Sequence, residues 1–138
     1  MNIMLWLLLA GLGIATTSEL HKRRKVQNLP DISNEDFVRM YKKKFAGSDA
    51  IVIEERRSVA KALRLSFQKL SPDHEFDELS KYTGFVGDYE LGMSELGDKI
   101  ADLCERAGIK KPHPFPATVG ELIYETVIAK ERLAEDKL

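Results

Sequence analysis

Side chains that commonly carry chemistry are few and scattered in this sequence. The single cysteine is Cys104, and the three histidines, His21, His74 and His113, form no pair at the spacing of metal ligands on a helix. No histidine stands beside a serine or the cysteine in a motif for nucleophilic catalysis. We therefore predict no metal site and no catalytic residues, and we expect a protein that is not an enzyme.

One acidic stretch carries side chains of the type that bind cations. It contains Asp73, Glu75, Asp77 and Glu78, but it lacks the loop glycine and the terminal glutamate of an EF-hand. We interpret it as a solvated acidic loop, or as an acidic surface for basic partners.

The composition of the 138 residues is that of a globular protein, with 43% hydrophobic and 31% charged side chains. Length predicts one domain plus an accessory segment. Residues 1–64 carry a net charge of +5 and residues 65–138 a net charge of −6, so the chain is polarised.

The lysine run Lys42 to Lys44 closes a predicted helix, where it complements the helix dipole, and no motif for nucleic acid accompanies it. We expect no nucleic-acid partner.

The N-terminus, MNIMLWLLLAGLGIATTS, has no charged side chain, and the basic run HKRRK follows it closely. Eighteen helical residues rise about 27 Å, close to the roughly 30 Å of a hydrocarbon layer. The pattern predicts a single-pass transmembrane helix, with the C-terminal domain in the cytoplasm because positive charge follows the apolar run. A cleaved secretory signal, giving a secreted or periplasmic protein, is the alternative, since Gly13-Ile14-Ala15 loosely resembles a cleavage site.

In the anchored interpretation the lipid bilayer is itself a partner, and two sets of residues contact it. The apolar set lies in the hydrocarbon layer and comprises Ile3, Leu5, Trp6, Leu7, Leu8, Leu9 and Ile14. The basic set contacts anionic headgroups and comprises Lys22, Arg23, Arg24 and Lys25.

The rest of the chain predicts four main helices joined by long connections. Pro30 breaks any continuous helix from the N-terminus, and Ser33, Ser48 and Thr118 are placed to cap helices. The helix after Ser48 has an apolar stripe at helical spacing, with Arg56 expected largely outside it. Isolated apolar residues in the connection at 65–79 are expected to pin that connection to a core.

The run VAKALRLSFQKLSPDHEFDEL, residues 59–79, resembles the first helix and long loop of acyl carrier proteins. SELGDKIADLCERAGI is similar to the second helix of that family, and ATVGELIYETV to the opening of its last helix. The resemblance covers about residues 52–128. It implies an all-α fold: a small acyl-carrier-like bundle at 48–138, preceded by a basic juxtamembrane linker and additional helix at 21–47 and by the transmembrane helix at 1–20.

The chain departs from the family where carrier proteins attach 4'-phosphopantetheine. No Asp-Ser-Leu triplet is present, and the position of the modified serine falls on Met93, with Ser94 one residue late. The segment KYTGFVGDYELG is extra, and KKPHPFP replaces the short third helix of the family. We expect no cofactor and interpret Ser94 as a helix cap or first-turn residue. The alternative is a genuine carrier modified at Ser94.

Together these patterns predict a membrane-anchored, non-catalytic interaction or assembly module with an acyl-carrier-like fold. Its partner would be a protein at the membrane. The alternatives are a true phosphopantetheine carrier and a small accessory subunit of a membrane protein complex, which would need the apolar N-terminal segment for packing. The residues predicted to bind a partner lie on the second carrier-like helix and in the extra segment: Phe85, Tyr89, Glu95, Asp98, Asp102 and Glu105.

Overall fold

The structure, a computed structural model, describes residues 2–82 and 88–137, apart from the side chains of residues 15–19, 22 and 23. The order of the elements is α1 (Ile3–Gln27), α2 (Asn34–Lys42), α3 (Asp49–Ala62), a short 3₁₀ turn (Phe67–Lys69), α4 (Phe76–Leu79), α5 (Asp88–Ala107) and α6 (Val119–Glu135). The predicted all-helical bundle is confirmed.

Three of the helix starts follow the predicted capping chemistry. Ser33, Ser48 and Thr118 each precede a helix in extended backbone, and each side-chain oxygen accepts a hydrogen bond from the backbone N–H three residues further on. These bonds satisfy amide groups that the first turn of a helix leaves without a partner. The donors are Asp36, Ile51 and Glu121.

The core lies between α3, α5 and α6, with α2 packed on α3. The fully buried side chains recur at helical spacing on each of the three helices, for example Val52 and Val59, Leu96 and Ile100, and Ile123 and Val127. Leu70, Phe76 and Leu79 are buried in the same cluster, so the connection between α3 and α5 is pinned to the core as its spacing predicts.

The predicted transmembrane helix is wrong. Among the described residues, no helix is both long and apolar enough to cross a membrane. The strongly apolar part of α1, Ile3 to Ala15, rises only about 20 Å, and the threonines, serine and charges that follow dilute the apolarity of the rest of the helix. The single-pass localisation and its orientation are corrected with it.

The residues assigned to the anchor form an exposed helix outside the bundle. Ile3, Leu5, Trp6, Leu7, Leu8, Leu9 and Ile14 are each more than half exposed. Of the four basic residues assigned to headgroups, Arg24 and Lys25 lie exposed in the last turn of α1, and the side chains of Lys22 and Arg23 are outside the described set. The helix ends at Gln27, before Pro30.

Helix α5 begins earlier than its similarity to the second carrier helix suggests. Asp88 to Gly92, predicted to belong to an extra segment before the helix, form its first turn. Gly92 explains how this added turn fits, because a Cβ at that position would lie 2.4 Å from the carbonyl oxygen of Ala62 at the end of α3. Only a glycine lets the two backbones come this close.

We expect Gly92→Ala to lower the free energy of unfolding by about 2 kcal/mol, because a backbone carbonyl cannot move aside as a flexible side chain can. Gly97→Ala is the matched control on the same helix, since a Cβ there meets no atom of the described residues within 4 Å. It should raise stability by about 0.5–1 kcal/mol through helix propensity. Urea unfolding of both variants measures the difference, and equal effects would contradict this explanation of the contact.

The connection before α4 is held to the start of α6 by backbone hydrogen bonds from Val119 N to His74 O (3.0 Å) and from Gly120 N to Pro72 O (2.9 Å). Within this connection, the backbone N–H of Ser71 donates to Nδ1 of His74 at 3.0 Å. Burial lowers the pKa of His74, and the nearby acids Glu78 and Asp73 oppose that shift only in part. The imidazole is therefore held neutral, with Nδ1 as an acceptor.

This arrangement predicts a pH dependence of stability. The unfolded chain binds a proton at His74 more readily than the folded chain does, so the stabilisation is complete above pH about 6.5 and is lost as pH falls through the lower folded-state pKa. His74→Asn keeps an acceptor but cannot titrate. Between about pH 7.5 and pH 5, the free energy of unfolding measured in urea should fall more steeply for the natural chain than for His74→Asn. Parallel curves would contradict the role of His74.

Candidate functional site

Four predicted partner-binding acids share one face of α5. Glu95, Asp98, Asp102 and Glu105, here called the acidic stripe, are separated by three or four residues, which places them on one side of a helix. All four side chains are exposed. The structure therefore brings together the acids that the sequence analysis selected from the second carrier-like helix.

The acidic stripe continues into an apolar residue that the sequence analysis did not select. Leu91 lies four residues before Glu95 on the same face and is 63% exposed. The sequence does carry a signal for this placement: from Leu91 through the stripe the residues are spaced four and three apart in alternation, as on one face of a helix. The surface therefore offers a partner an apolar contact at Leu91 next to the negative charge of four acids.

The charge of the stripe is largely uncompensated. Asp102 pairs with Arg106 at 3.0 Å, but both side chains are more than half exposed, so solvent screens the pair. Within the described parts of the chain, Glu95, Asp98 and Glu105 make no ion pair shorter than 4.0 Å. The stripe therefore presents negative charge directly to the solvent.

Partly buried polar contacts hold α5 against α3. Lys99 Nζ donates to Glu55 Oε2 at 2.9 Å and to Ser58 Oγ at 2.7 Å, while Lys130 Nζ donates to Glu55 Oε1 at 2.6 Å. Glu55 is only 2% exposed, so one carboxylate of α3 ties α5 and α6 together. Burial alone would lower the pKa of Lys130, but the hydrogen bonds and charges of Glu55 and Glu54 raise it overall. The stripe consequently lies on a rigid support.

The two aromatic residues predicted to bind a partner are not joined to the stripe. Phe85 lies outside the described residues. Tyr89 is in the first turn of α5, partly buried and packed against the core. Burial raises the pKa of its hydroxyl, with Asp77 and Glu90 acting in the same direction. On a helix, Tyr89 lies on nearly the opposite side from Leu91 and the stripe.

Ser94 is exposed, but it is neither a cap nor a first-turn residue. It is the seventh residue of α5, because the helix begins at Asp88. The interpretation as a cap is therefore wrong, for the same reason that the predicted helix start was late. Ser94 lies at the edge of a groove of about 470 Å³ between α5 and the proline-rich segment from Lys111 to Phe115.

The remaining reactive or metal-binding side chains of the described residues do not form a cluster. Asp73 of the acidic loop pairs with Lys44 at 3.3 Å, and across the described residues no three His, Cys, Asp or Glu side chains are placed to hold a metal ion. Cys104 is fully buried in the core, and burial raises the pKa of its thiol, assisted by Glu125. A buried thiol with a raised pKa is a poor nucleophile.

Comparison with known proteins identifies no relative. No family model matches the chain, and neither a curated protein nor a solved structure matches it.

Proposed function

We propose that this protein is a non-catalytic helical interaction or assembly module that binds a basic protein partner through the acidic stripe of α5. The observation that carries the proposal is the continuous exposed face formed by Leu91, Glu95, Asp98, Asp102 and Glu105 on a helix fixed from behind by Glu55. Charges on such a face raise the rate of association with a positively charged surface and disfavour acidic partners.

The resemblance to acyl carrier proteins supports the same face, because carrier-like folds present an acidic second helix to basic partners. The proposal does not include the prosthetic group of that family. Ser94 lies inside the second turn of α5 rather than at its start, and the residues before it are Gly92 and Met93 instead of an aspartate. We propose that Ser94 stays unmodified and that the chain works without a cofactor.

The carrier alternative is tested by intact-protein mass spectrometry after co-expression with a broad-specificity phosphopantetheinyl transferase, with Ser94→Ala as the control. We expect no mass increase on a folded sample, because the serine lacks the helix-start context that such an enzyme modifies. An increase equal to phosphopantetheine that disappears in Ser94→Ala would make the chain a working carrier.

Binding through the stripe is tested with two variants that lose the same charge. The first neutralises the stripe as Glu95→Gln, Asp98→Asn, Asp102→Asn and Glu105→Gln. The second neutralises four exposed acids of α2, α6 and the residue after α6, as Glu35→Gln, Glu131→Gln, Glu135→Gln and Asp136→Asn. Proteins retained by each tagged chain from a lysate of the source cells are quantified side by side. The proposal requires a basic protein retained by the natural chain and the second variant, and lost from the first.

A second candidate function is suggested by α1. Its apolar residues from Ile3 to Ile14 are exposed on all sides, and a helix of this kind is normally buried by other protein. The chain would then be an accessory subunit that packs α1 into a protein complex. Exchange of residues 3–14 for an unrelated apolar helix should in that case abolish assembly and leave the bundle folded, whereas assembly lost only in the stripe variant would favour the first proposal.

A further inference from the structure

The groove beside Ser94 adjoins the acidic stripe. Its floor and one wall belong to α5, where Gly97, Ile100 and Ala101 line it, and Asp98 belongs both to the groove and to the stripe. The volume of about 470 Å³ lies within the range of sites that enclose small ligands or anchoring side chains. A partner that lies along the stripe therefore reaches the edge of the groove at Asp98.

The opposite wall of the groove is rigid before any partner arrives. Prolines at 112, 114 and 116 restrict the backbone of this segment. Phe115 packs against Phe76 with ring centroids 5.7 Å apart, and the backbone N–H of Phe76 donates to Ala117 O at 2.9 Å. A preformed wall lowers the cost of ordering that binding would otherwise incur.

The depth of the groove depends on one residue of α5. Gly97 lines it, and within the part of the chain that the structure describes a Cβ at that position would meet no atom within 4 Å. Mid-helix glycine normally destabilises a helix by about 0.5–1 kcal/mol relative to alanine. In contrast to Gly92, no packing contact with residues 2–82 or 88–137 requires glycine at this position.

We infer that this groove receives a large apolar or aromatic side chain from the basic partner, while basic residues of the same partner segment pair with the acidic stripe. The inference rests on the proposed function and names the partner more closely: a basic amphipathic helix with one aromatic anchor. The charge of the stripe selects the basic segment, and Ile100, Ala101 and Phe115 form the apolar lining. Anchors in preformed pockets beside a charged rim supply most of the affinity in many interfaces.

The test uses a synthetic, fluorescently labelled helical peptide with lysines on one face at three- and four-residue spacing and one tryptophan beside them. A second peptide carries alanine in place of the tryptophan. Each is titrated with the natural chain, with Gly97→Leu and with the stripe-neutralised variant, and binding is followed by anisotropy. Gly97→Leu fills the groove and leaves every acid of the stripe in place.

We expect the tryptophan to strengthen binding to the natural chain about tenfold, and Gly97→Leu to remove that gain while leaving the alanine peptide unaffected. If Gly97→Leu binds the tryptophan peptide as tightly as the natural chain, but the stripe variant does not bind it, the groove inference is overturned and the proposed function stands. If neither Gly97→Leu nor the stripe variant changes binding, or if neither peptide binds the natural chain, the groove inference and the proposed function both fail. If Gly97→Leu does not fold, Ala101→Leu takes its place in the same titrations, because it fills the groove from the next turn of α5.

Discussion

Replacing Arg56 by methionine is expected to lower the free energy of unfolding by about 3 kcal/mol. Arg56 is fully buried in α3, although the sequence pattern placed it outside the apolar stripe of that helix. Its guanidinium donates to Ile32 O at 2.8 Å, to Leu70 O at 3.0 Å and to Asn34 Oδ1 at 3.0 Å. It thereby joins α3 to two connecting segments and to the start of α2.

The positive charge of Arg56 is stabilised without a carboxylate in the described part of the chain. The guanidinium carbon lies 4.5 Å from the ring centroid of Phe37 and 5.5 Å from that of Phe67, a cation–π arrangement on two rings. Burial lowers the pKa of Arg56 to about 10, so the side chain stays protonated at neutral pH. Methionine fills much of the same space but leaves two carbonyl oxygens without a donor, and each costs about 1–3 kcal/mol.

The neighbouring Arg57→Met is the control, because Arg57 is exposed and its guanidinium carbon lies over the ring of Phe67, 5.1 Å from the centroid. Loss of the Arg57 guanidinium should change the free energy of unfolding by less than about 1 kcal/mol. Urea unfolding followed by circular dichroism measures both variants. An Arg56→Met chain as stable as the Arg57→Met chain would mean that the hydrogen bonds of Arg56 do not hold the connecting segments in place.

The second large effect is expected on binding. Neutralising the four acids of the stripe should weaken the affinity for the recovered partner by about ten- to a hundredfold, since exposed charge pairs contribute about 0.2–1 kcal/mol each and a factor of ten corresponds to about 1.4 kcal/mol. Most of the loss at low salt should appear in the association rate, because the stripe acts over a distance before contact. The matched variant with Glu35, Glu131, Glu135 and Asp136 neutralised has the same net charge and should bind nearly as the natural chain does.

Salt provides an independent check on the same effect. Raising ionic strength from about 0.05 M to about 0.3 M shortens the screening length to less than half, so the affinity of the natural chain should fall. The stripe-neutralised variant should show a much smaller dependence on salt. Equal salt dependence in both would mean that the relevant charges lie elsewhere on the molecule.

Local signals in the sequence were enough to locate most of the helices. Ser33, Ser48 and Thr118 cap α2, α3 and α6 as expected, because capping depends on residues only a few positions apart. The stripe on α5 was also recognisable, since residues three and four apart share a helix face whatever the tertiary structure. These predictions required no knowledge of distant contacts.

The errors arose where distant contacts decide the structure. The early start of α5 depends on the close approach of Gly92 to Ala62 O, whereas the resemblance to carrier proteins places Gly92 in an extra segment before the helix. Arg56 is buried because acceptors from residues 32, 34 and 70 converge on it, which no local pattern reveals. For α1, the lack of charge in the first eighteen residues predicts a membrane span, but the strongly apolar run is too short for one.

Binding of a partner at the acidic stripe can be located by site-specific photo-cross-linking from the surface of the folded chain. A photoreactive phenylalanine analogue replaces Leu91 beside the stripe, Glu131 on the exposed side of α6, or Leu5 on α1, and each chain is irradiated with the recovered partner. If the partner binds the stripe, we expect a cross-link from position 91 that is suppressed by neutralising the stripe, and none from position 131. Cross-links from position 5 or 131, with none from position 91, would contradict it and place the partner on another surface.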